Sequence, residues 1–312
     1  MTTTSRVVQH DVPGGPDVLH VREVEVPRPS IGEVLVRVHA AGVNPVDSMN
    51  RAGGAFGRGA PFGCGYDVSG VVAAVGPGVT LWAPGDEVVG MLPFPFGLGA
   101  YADHVVAPAR ALVRKPAALT HVEAGALPLA GLTAWQALVD TADVRHGTRL
   151  LVTGAAGGVG HLAVQIAHAR GAHVIAVASA EDAALVRRLG ADEVLDYRTA
   201  DAAETVRDVD VVLDVLGAES ATRHLACLRP GGIAVITLPQ QLAELAPAAS
   251  EAGCRAAALF VEADQVGMLG LTELVRDGRL RPLVAATYPL EQAGTAQSAR
   301  HGAGKVVLVT GA

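Results

Sequence analysis

Lysine is almost missing from this chain: Lys115 and Lys305 are the only two, and arginine supplies the rest of the positive charge. The net charge is -7, so there is no basic excess of the kind that a nucleic-acid phosphate backbone demands. Cysteine is scarce too. Cys64, Cys227 and Cys254 are too few and too scattered for a disulfide framework. No stretch approaches the roughly 18 apolar residues of a membrane span. Met1 to Arg6 leads into an alternating strand and not into a signal peptide. These absences point to a soluble, cytoplasmic protein with no nucleic-acid or membrane partner. Only 18% of residues are charged, both signs are scattered, and 50% are hydrophobic, which is a globular composition and not a disordered one. At 312 residues the chain suits two domains, each able to bury a core. It shows no low-complexity linker and no repeat beyond a βα alternation.

What is present is organised around Leu150-Leu151-Val152-Thr153-Gly154-Ala155-Ala156-Gly157-Gly158-Val159-Gly160. A short apolar β-branched run passes through a small-residue turn into Leu162, Ala163, Ile166 and Ala167, spaced as on a helix. Strand, tight turn, helix is the geometry of phosphate binding. Gly157 lets a pyrophosphate approach the backbone, Gly160 lets the helix pack close on the strand, and the helix N-terminus offers N–H groups and partial positive charge. Against the usual G-x-G-x-x-G the first glycine is Ala155. The strand Ala172 to Ala178 and a helical pattern through Leu189 follow, the context that confirms a dinucleotide fold.

Residues 1 to about 115 read as all-β. Val7 to His10, Val18 to Val24, Glu33 to Ala40, Val68 to Val75 and Glu87 to Met91 are short strands punctuated by Pro-Gly turns, which suggests a small partly open barrel. Near 121 the pattern turns helical, with Thr120 as the expected N-cap. Val209 to Leu213, Ile233 to Thr237 and Ala256 to Val261 continue the βα series, which implies a parallel sheet. From about 266 the rhythm stops. A helix at Leu269 to Val275, a strand after Pro282, a helix near Glu291 and a strand at Lys305 to Thr310 read as the chain returning to its first domain. The expected limits are therefore 1–120, 121–265 and 266–312.

Several motifs together carry a family likeness: Ala41 to Asp47 (AGVNPVD), Gly65 to Val72 (GYDVSGVV), Leu129 to Trp135 (LAGLTAW), Gly154 to Gly160, Gly190-Ala191-Asp192 before Asp196-Tyr197, Arg229 to Gly232 (RPGG) and Gly304 to Leu308 (GKVVL). The chain resembles the medium-chain dehydrogenase/reductase superfamily, and within it the zinc-independent quinone oxidoreductase-like branch, over nearly its whole length. The resemblance implies an α/β protein. A GroES-like barrel, closed by the C-terminal segment, would hold an inserted Rossmann doubly wound domain, with the active site in the cleft between them. It also implies a homodimer paired through the last nucleotide-domain strand, near Ala256 to Val261.

Zinc is the sharp alternative, since better-known members are zinc enzymes and need thiolate and imidazole ligands. Where they place the first cysteine this chain has Val43-Asn44-Pro45, and where they place His-Glu it has Tyr66-Asp67. Leu92 to Ala107 lacks the structural-zinc cysteines. No metal is expected.

By resemblance, Asn44 lies beside nicotinamide and substrate, where its amide could donate to a carbonyl oxygen; an Asn-Pro turn would explain the same residues. Asp47 is read as ordering that loop. Thr133 matches a threonine near the nicotinamide, or simply packs a helix. The family's tyrosine proton donor is missing at Met49 and at Ala55-Phe56, leaving Tyr66 and Tyr101 as candidates alongside solvent. Ala156, Gly157, Gly158, Val159 and Gly160 form the phosphate loop, and the resemblance adds Leu216, Leu238, Phe260 and Val261 to the cofactor site. Ala178-Ser179-Ala180 has no carboxylate at the strand tip to hold a ribose 2′-OH. Ser179 and Tyr197 would then serve a 2′-phosphate, although the family's lysine falls on Ala183. NADP is the expected cofactor.

The expected activity is hydride transfer from NADPH to a quinone or an activated C=C bond, with a small-molecule substrate. The rival from another class is a nucleotide-binding structural or regulatory protein with little catalysis, because fold alone does not fix function. A zinc-free alcohol dehydrogenase ranks below both, lacking a visible base. Two loops, Gly53 to Gly59 and Pro93 to Gly97, read as lining the cleft.

Overall fold

The computed structural model describes residues 4–53, 61–95 and 99–311. Most of the two loops expected to line a cleft, and the Ala55-Phe56 position, lie outside the described residues. The chain divides into two compact units, one of residues 1–132, 262–276 and 282–312, the other of 133–261 and 277–281. Residues 262–276 and 282–312 group with the N-terminal residues. The helical stretch from 121 to 132 belongs with that unit as well.

In the first unit the chain runs β1 (Thr4–His10), β2 (His20–Glu25), β3 (Glu33–Val43), α1 (Pro45–Gly53), β4 (Phe62–Gly63), β5 (Asp67–Val75), β6 (Glu87–Met91), β7 (His104–Pro108), β8 (Leu112–Arg114) and α2 (His121–Gly125). α3 (Pro128–Trp135) then carries it onward. The expectation of an all-β segment is corrected here by α1, a helix of nine residues. β3 is the backbone of this unit. Val34, Val36 and Val38 alternate onto its buried face, as the period of two requires. One edge of β3 pairs with β5. The other is shared, Glu33 to Arg37 pairing with β7 and Ala40 to Val43 with β16. A second sheet has the order β2-β1-β4. Thr120 caps α2 as expected, accepting from the Glu123 N–H while the Glu123 carboxylate accepts from the Thr120 N–H.

The second unit holds β9 (Arg149–Val152), α4 (Gly160–Ala169), β10 (His173–Ala178), α5 (Ala183–Arg188), β11 (Glu193–Asp196), α6 (Ala202–Thr205), β12 (Val209–Asp214), α7 (Ala218–His224), β13 (Leu228–Ile236), α8 (Leu242–Glu251) and β14 (Arg255–Ala258). Its six strands are all parallel, in the order β11-β10-β9-β12-β13-β14. Counting from β9 that is 3-2-1-4-5-6, the doubly wound order with its switch point between β9 and β12. Leu150, Leu151 and Val152 are all fully buried because helices cover both faces of the sheet.

The chain then returns through α9 (Gln265–Arg276), β15 (Val284–Pro289), α10 (Ala293–Ser298) and β16 (Lys305–Val309). Among the described residues no helix is long and apolar enough to cross a membrane.

Candidate active site

The residues singled out from the sequence fall into two groups, one in each unit. In the first unit, register does the assembling. Val306 pairs with Val43, which puts Lys305 beside Asn44. Ala40 pairs with Ser69, which brings Asp67 alongside Gly42. The Asn44 backbone N–H donates to Asp47 Oδ2 at 2.8 Å, and the Asp47 N–H donates to the Asn44 carbonyl at 3.0 Å. The Asn-Pro turn is therefore the first turn of α1, with proline where a helix tolerates it. Tyr101 donates its hydroxyl to the same Asp47 oxygen at 2.8 Å.

The Asn44 side chain is held at both ends. Its Nδ2 donates to Asp67 Oδ2 at 2.9 Å, and its Oδ1 accepts from the Lys305 ammonium. Lys305 also donates to the Val43 carbonyl at 2.8 Å and stands 3.7 Å from Asp67 Oδ2. The other Asp67 oxygen accepts the Leu129 N–H at 2.6 Å. Tyr101, Asp47, Asn44, Asp67 and Lys305 thus form one buried network of two carboxyls and one amine. Burial raises Asp67 and lowers Lys305, and each opposes the shift of the other. Burial pushes the Asp47 carboxyl up to about 7, against the pull of the Asn44 N–H and the Tyr101 hydroxyl. Asp47 Oδ1 is buried with no partner among the described residues.

That shift carries a pH prediction. A carboxyl whose folded pKa lies above its unfolded value contributes stability that is full below about 4 and lost as pH rises through about 7. Asp47→Asn keeps an acceptor for the Asn44 N–H and removes the titration. Relative to the variant, the wild type is expected to lose up to about 4 kcal/mol between pH 4 and pH 8. Urea unfolding at the two pH values measures it, and parallel stability profiles would contradict it.

Tyr66 and Tyr101 do not fit the proton-donor role expected of them. Both are fully buried. Tyr66 accepts from Asn50 Nδ2 at 2.6 Å and donates to the Pro95 carbonyl at 3.1 Å. Tyr101 donates a hydrogen bond to Asp47, and burial with that neighbouring carboxylate raises it well above the ordinary phenol range. Both hydroxyls hold the fold together instead.

In the second unit the residues read as a phosphate loop turn tightly between β9 and α4. Gly154 takes the left-handed conformation, φ +58°, so the tight turn falls one residue before Ala155. The Ala155 N–H ties the turn to β10 through the Val177 carbonyl at 3.0 Å. A Cβ on Gly160 would collide with the Gly154 carbonyl oxygen and lie 2.8 Å from Ala155 Cα. On exposed Gly157 it would meet only the Gly154 oxygen, at 3.2 Å. No side chain caps the N-terminus of α4, so a bound phosphate could accept there. These residues fit a dinucleotide diphosphate.

The other expected cofactor residues lie just past the carboxyl ends of the strands: Ser179 after β10, Tyr197 after β11, Leu216 after β12, Leu238 after β13, and Phe260 and Val261 after β14. Tyr197, Leu216 and Phe260 are 59%, 63% and 44% exposed, large apolar groups left in water at the edge where doubly wound sheets bind ligands. Thr133 is buried in α3, away from that edge in sequence. Ser179 donates to Asp182 Oδ2 at 2.9 Å, so its hydroxyl proton is already committed. Sequence reasoning missed Asp214, which ends β12 and holds the Leu216 loop by accepting the Leu216 and Gly217 N–H groups at 2.8 and 3.2 Å. Burial would raise its carboxyl, but hydrogen bonds from His224 and Ser220 hold it below the usual range. It also missed Lys305, whose signal was a solitary lysine at the head of an apolar strand.

Zinc does not fit this donor set. At the expected ligand positions stand an amide already bonded at both ends, an engaged phenol and a carboxylate facing an ammonium. A divalent cation there would meet the Lys305 charge, and the neighbouring Cys64 thiol is pushed up by burial to about 12, so no thiolate is on offer. Among the described residues no group of three or more His, Cys, Asp or Glu could hold a metal ion.

Comparison with known proteins places the chain. Residues 30–117 match the family described as alcohol dehydrogenase GroES-like domain, and residues 189–308 that described as zinc-binding dehydrogenase. A 2-haloacrylate reductase of Burkholderia sp is 35% identical over 95% of this chain and 96% of its own length. The mouse mitochondrial NAD(P)H oxidoreductase RTN4IP1 is 39% identical over 66% of this chain; the match spans 58% of the mouse protein. The solved quinone oxidoreductase from Coxiella burnetii superposes with a TM-score of 0.91 at 31% identity, over 99% of this chain and all of that one. The chain belongs to the medium-chain dehydrogenase/reductase superfamily, in its quinone oxidoreductase-like branch.

Proposed function

We propose that the chain is an oxidoreductase that passes hydride from NADPH to a quinone or to an activated C=C bond, without a catalytic metal. One observation carries the reading. The phosphate loop, Ser179, Tyr197, Leu216, Leu238, Phe260 and Val261 all collect at the carboxyl edge of a single doubly wound sheet. The names of the relatives, quinone oxidoreductase and 2-haloacrylate reductase, support the two substrate classes. When bound, a reduced nicotinamide supplies the hydride; the protein supplies binding, orientation and electrostatics.

The chain's own residues have distinct tasks. The turn at Gly154 to Gly160 receives the diphosphate, and Ser179 and Tyr197 receive the adenosine end. Asn44, with its orientation fixed by Asp67 and Lys305, holds its second amide hydrogen only loosely, against the Gly42 carbonyl at 3.5 Å, and would turn it to a substrate carbonyl. With Tyr66 and Tyr101 engaged inside the fold, solvent provides the proton that completes reduction. The edge strand β14 is the face through which we propose a homodimer.

The test is NADPH oxidation, followed by absorbance, across a small panel of quinones and enones before and after exhaustive chelation. Turnover with at least one substrate, unchanged by the chelator, is expected. Loss of activity that returns with zinc would overturn the metal-free reading. Tight NADPH binding with no turnover on any substrate would favour the nucleotide-binding module instead.

A further inference from the structure

The carboxyl ends of β10 and β11 carry a charge arrangement that the sequence did not announce. Glu181 and Asp182 follow Ser179 after a single alanine, Ala180, so the loop that would face a ribose 2′-substituent is acidic. Among the described residues one cation pairs with Glu181. Arg198 Nη1 donates to both Glu181 carboxylate oxygens, at 2.7 and 2.9 Å, and its guanidinium lies 5.5 Å from the centre of the Tyr197 ring. The two strands are neighbours in register, Ala178 opposite Asp196, which is why residues 17 apart in sequence meet. Both partners are half-exposed or more, at 52% and 67%, so the pair opens to solvent without unpacking anything. The Ser179 hydroxyl proton is bound to Asp182 and Ala183 contributes no charge. A 2′-phosphate, an acceptor only, therefore has Arg198 as a charged donor to recruit.

The geometry points to Arg198 as the residue that decides between NADPH and NADH, with Glu181 as the competing anion that a 2′-phosphate must displace. This rests on the proposed preference for NADPH and goes beyond it, because it assigns the discrimination to an ion pair rather than to the strand tip. The guanidinium fork suits a phosphate as well as a carboxylate. The Tyr197 ring beneath it restricts where the fork can turn. A phosphate would exchange one anionic partner of Arg198 for another, leaving Glu181 beside it as an opposing charge. The preference for NADPH is accordingly held down by Glu181 and not only by the missing lysine.

The test is calorimetric titration of NADPH and NADH into the wild type, Arg198→Ala and Glu181→Gln. Arg198→Ala is expected to weaken NADPH binding by about 10- to 100-fold, the scale of charge-assisted hydrogen bonds to one group, and to leave NADH within about twofold. Glu181→Gln is expected to act in the opposite sense, tightening NADPH several-fold with NADH unchanged. Equal weakening of both nucleotides by Arg198→Ala would make the residue structural and overturn the assignment. An NADPH to NADH ratio that neither variant moves would overturn it as well. A wild type that binds NADH more tightly, yet whose ratio falls with Arg198→Ala, would refute the NADPH preference and uphold the role of Arg198.

Discussion

Gly157→Val is expected to abolish nucleotide binding and leave the protein folded. The site of the substitution is exposed, its φ is not positive, and a Cβ there meets only the Gly154 oxygen at 3.2 Å. The fold itself has little quarrel with a side chain at that point. The diphosphate does, because two branched methyl groups would fill the volume through which it approaches the backbone. Without nucleotide, the melting temperature should stay within roughly 4 °C of wild type, the shift that about 1 kcal/mol produces. Gly160→Val gives the opposite result. Its Cβ runs into backbone atoms of Gly154 and Ala155, which cannot rotate away, and overpacking of this kind costs about 1–3 kcal/mol or more. The pair of variants separates ligand space from packing space three residues apart. Normal nucleotide affinity in Gly157→Val would show that the phosphate loop lies elsewhere.

Lys305→Met is expected to be the most destabilising single change in the first unit, at about 3–5 kcal/mol, the range for breaking a buried ion pair from one side. Methionine matches the length of the lysine stem, so the loss is of charge and hydrogen bonds and not of volume. Asp67 would keep its bonds from Leu129 and Asn44 but lose its only nearby cation among the described residues. Asn44 Oδ1 would lose its donor. The sign of the pH dependence follows. With Lys305 gone the Asp67 carboxyl, already raised by burial, rises further above its unfolded value. The deficit should then be smallest near pH 4 and grow as pH rises. Urea unfolding at several pH values measures this. A loss below about 1 kcal/mol at pH 8 would mean that the network contributes little to holding the fold.

What the sequence made legible was whatever depended on near neighbours. The turn from Val152 to Gly160, the alternation of β3 and the Thr120 cap are each set within a dozen residues, and each stands where it was expected. α1 escaped because Asp47, Ser48 and Asn50 interrupt any apolar stripe, and Asn44-Pro45 satisfies turn chemistry by itself. The motif has Ala155 where its first glycine usually stands. The backbone places the left-handed residue at Gly154, where a positive φ costs no Cβ contact. Pairings set by sheet register were illegible. Nothing near Asp67 announces Lys305, and nothing near Glu181 announces Arg198, because register is decided by whole strands and not by the charged residues that it brings together. Tyr66 and Tyr101 were plausible proton donors on residue type alone; their complete burial is a property of the assembled sheets.

Lys305 lies 261 residues along the chain from Asn44, and this fixes an order of events on the ribosome. At about 5–20 residues per second, roughly 10–50 s pass between the emergence of Asn44 and that of its ammonium partner. Residues 133–261 are contiguous and contain every strand of the parallel sheet, so that unit can close while synthesis continues. The N-terminal strands cannot: β3 lacks β16 along Ala40 to Val43, and Asp67 lacks its ammonium partner until Lys305 arrives. The part of the protein that is made first is the part that is completed last.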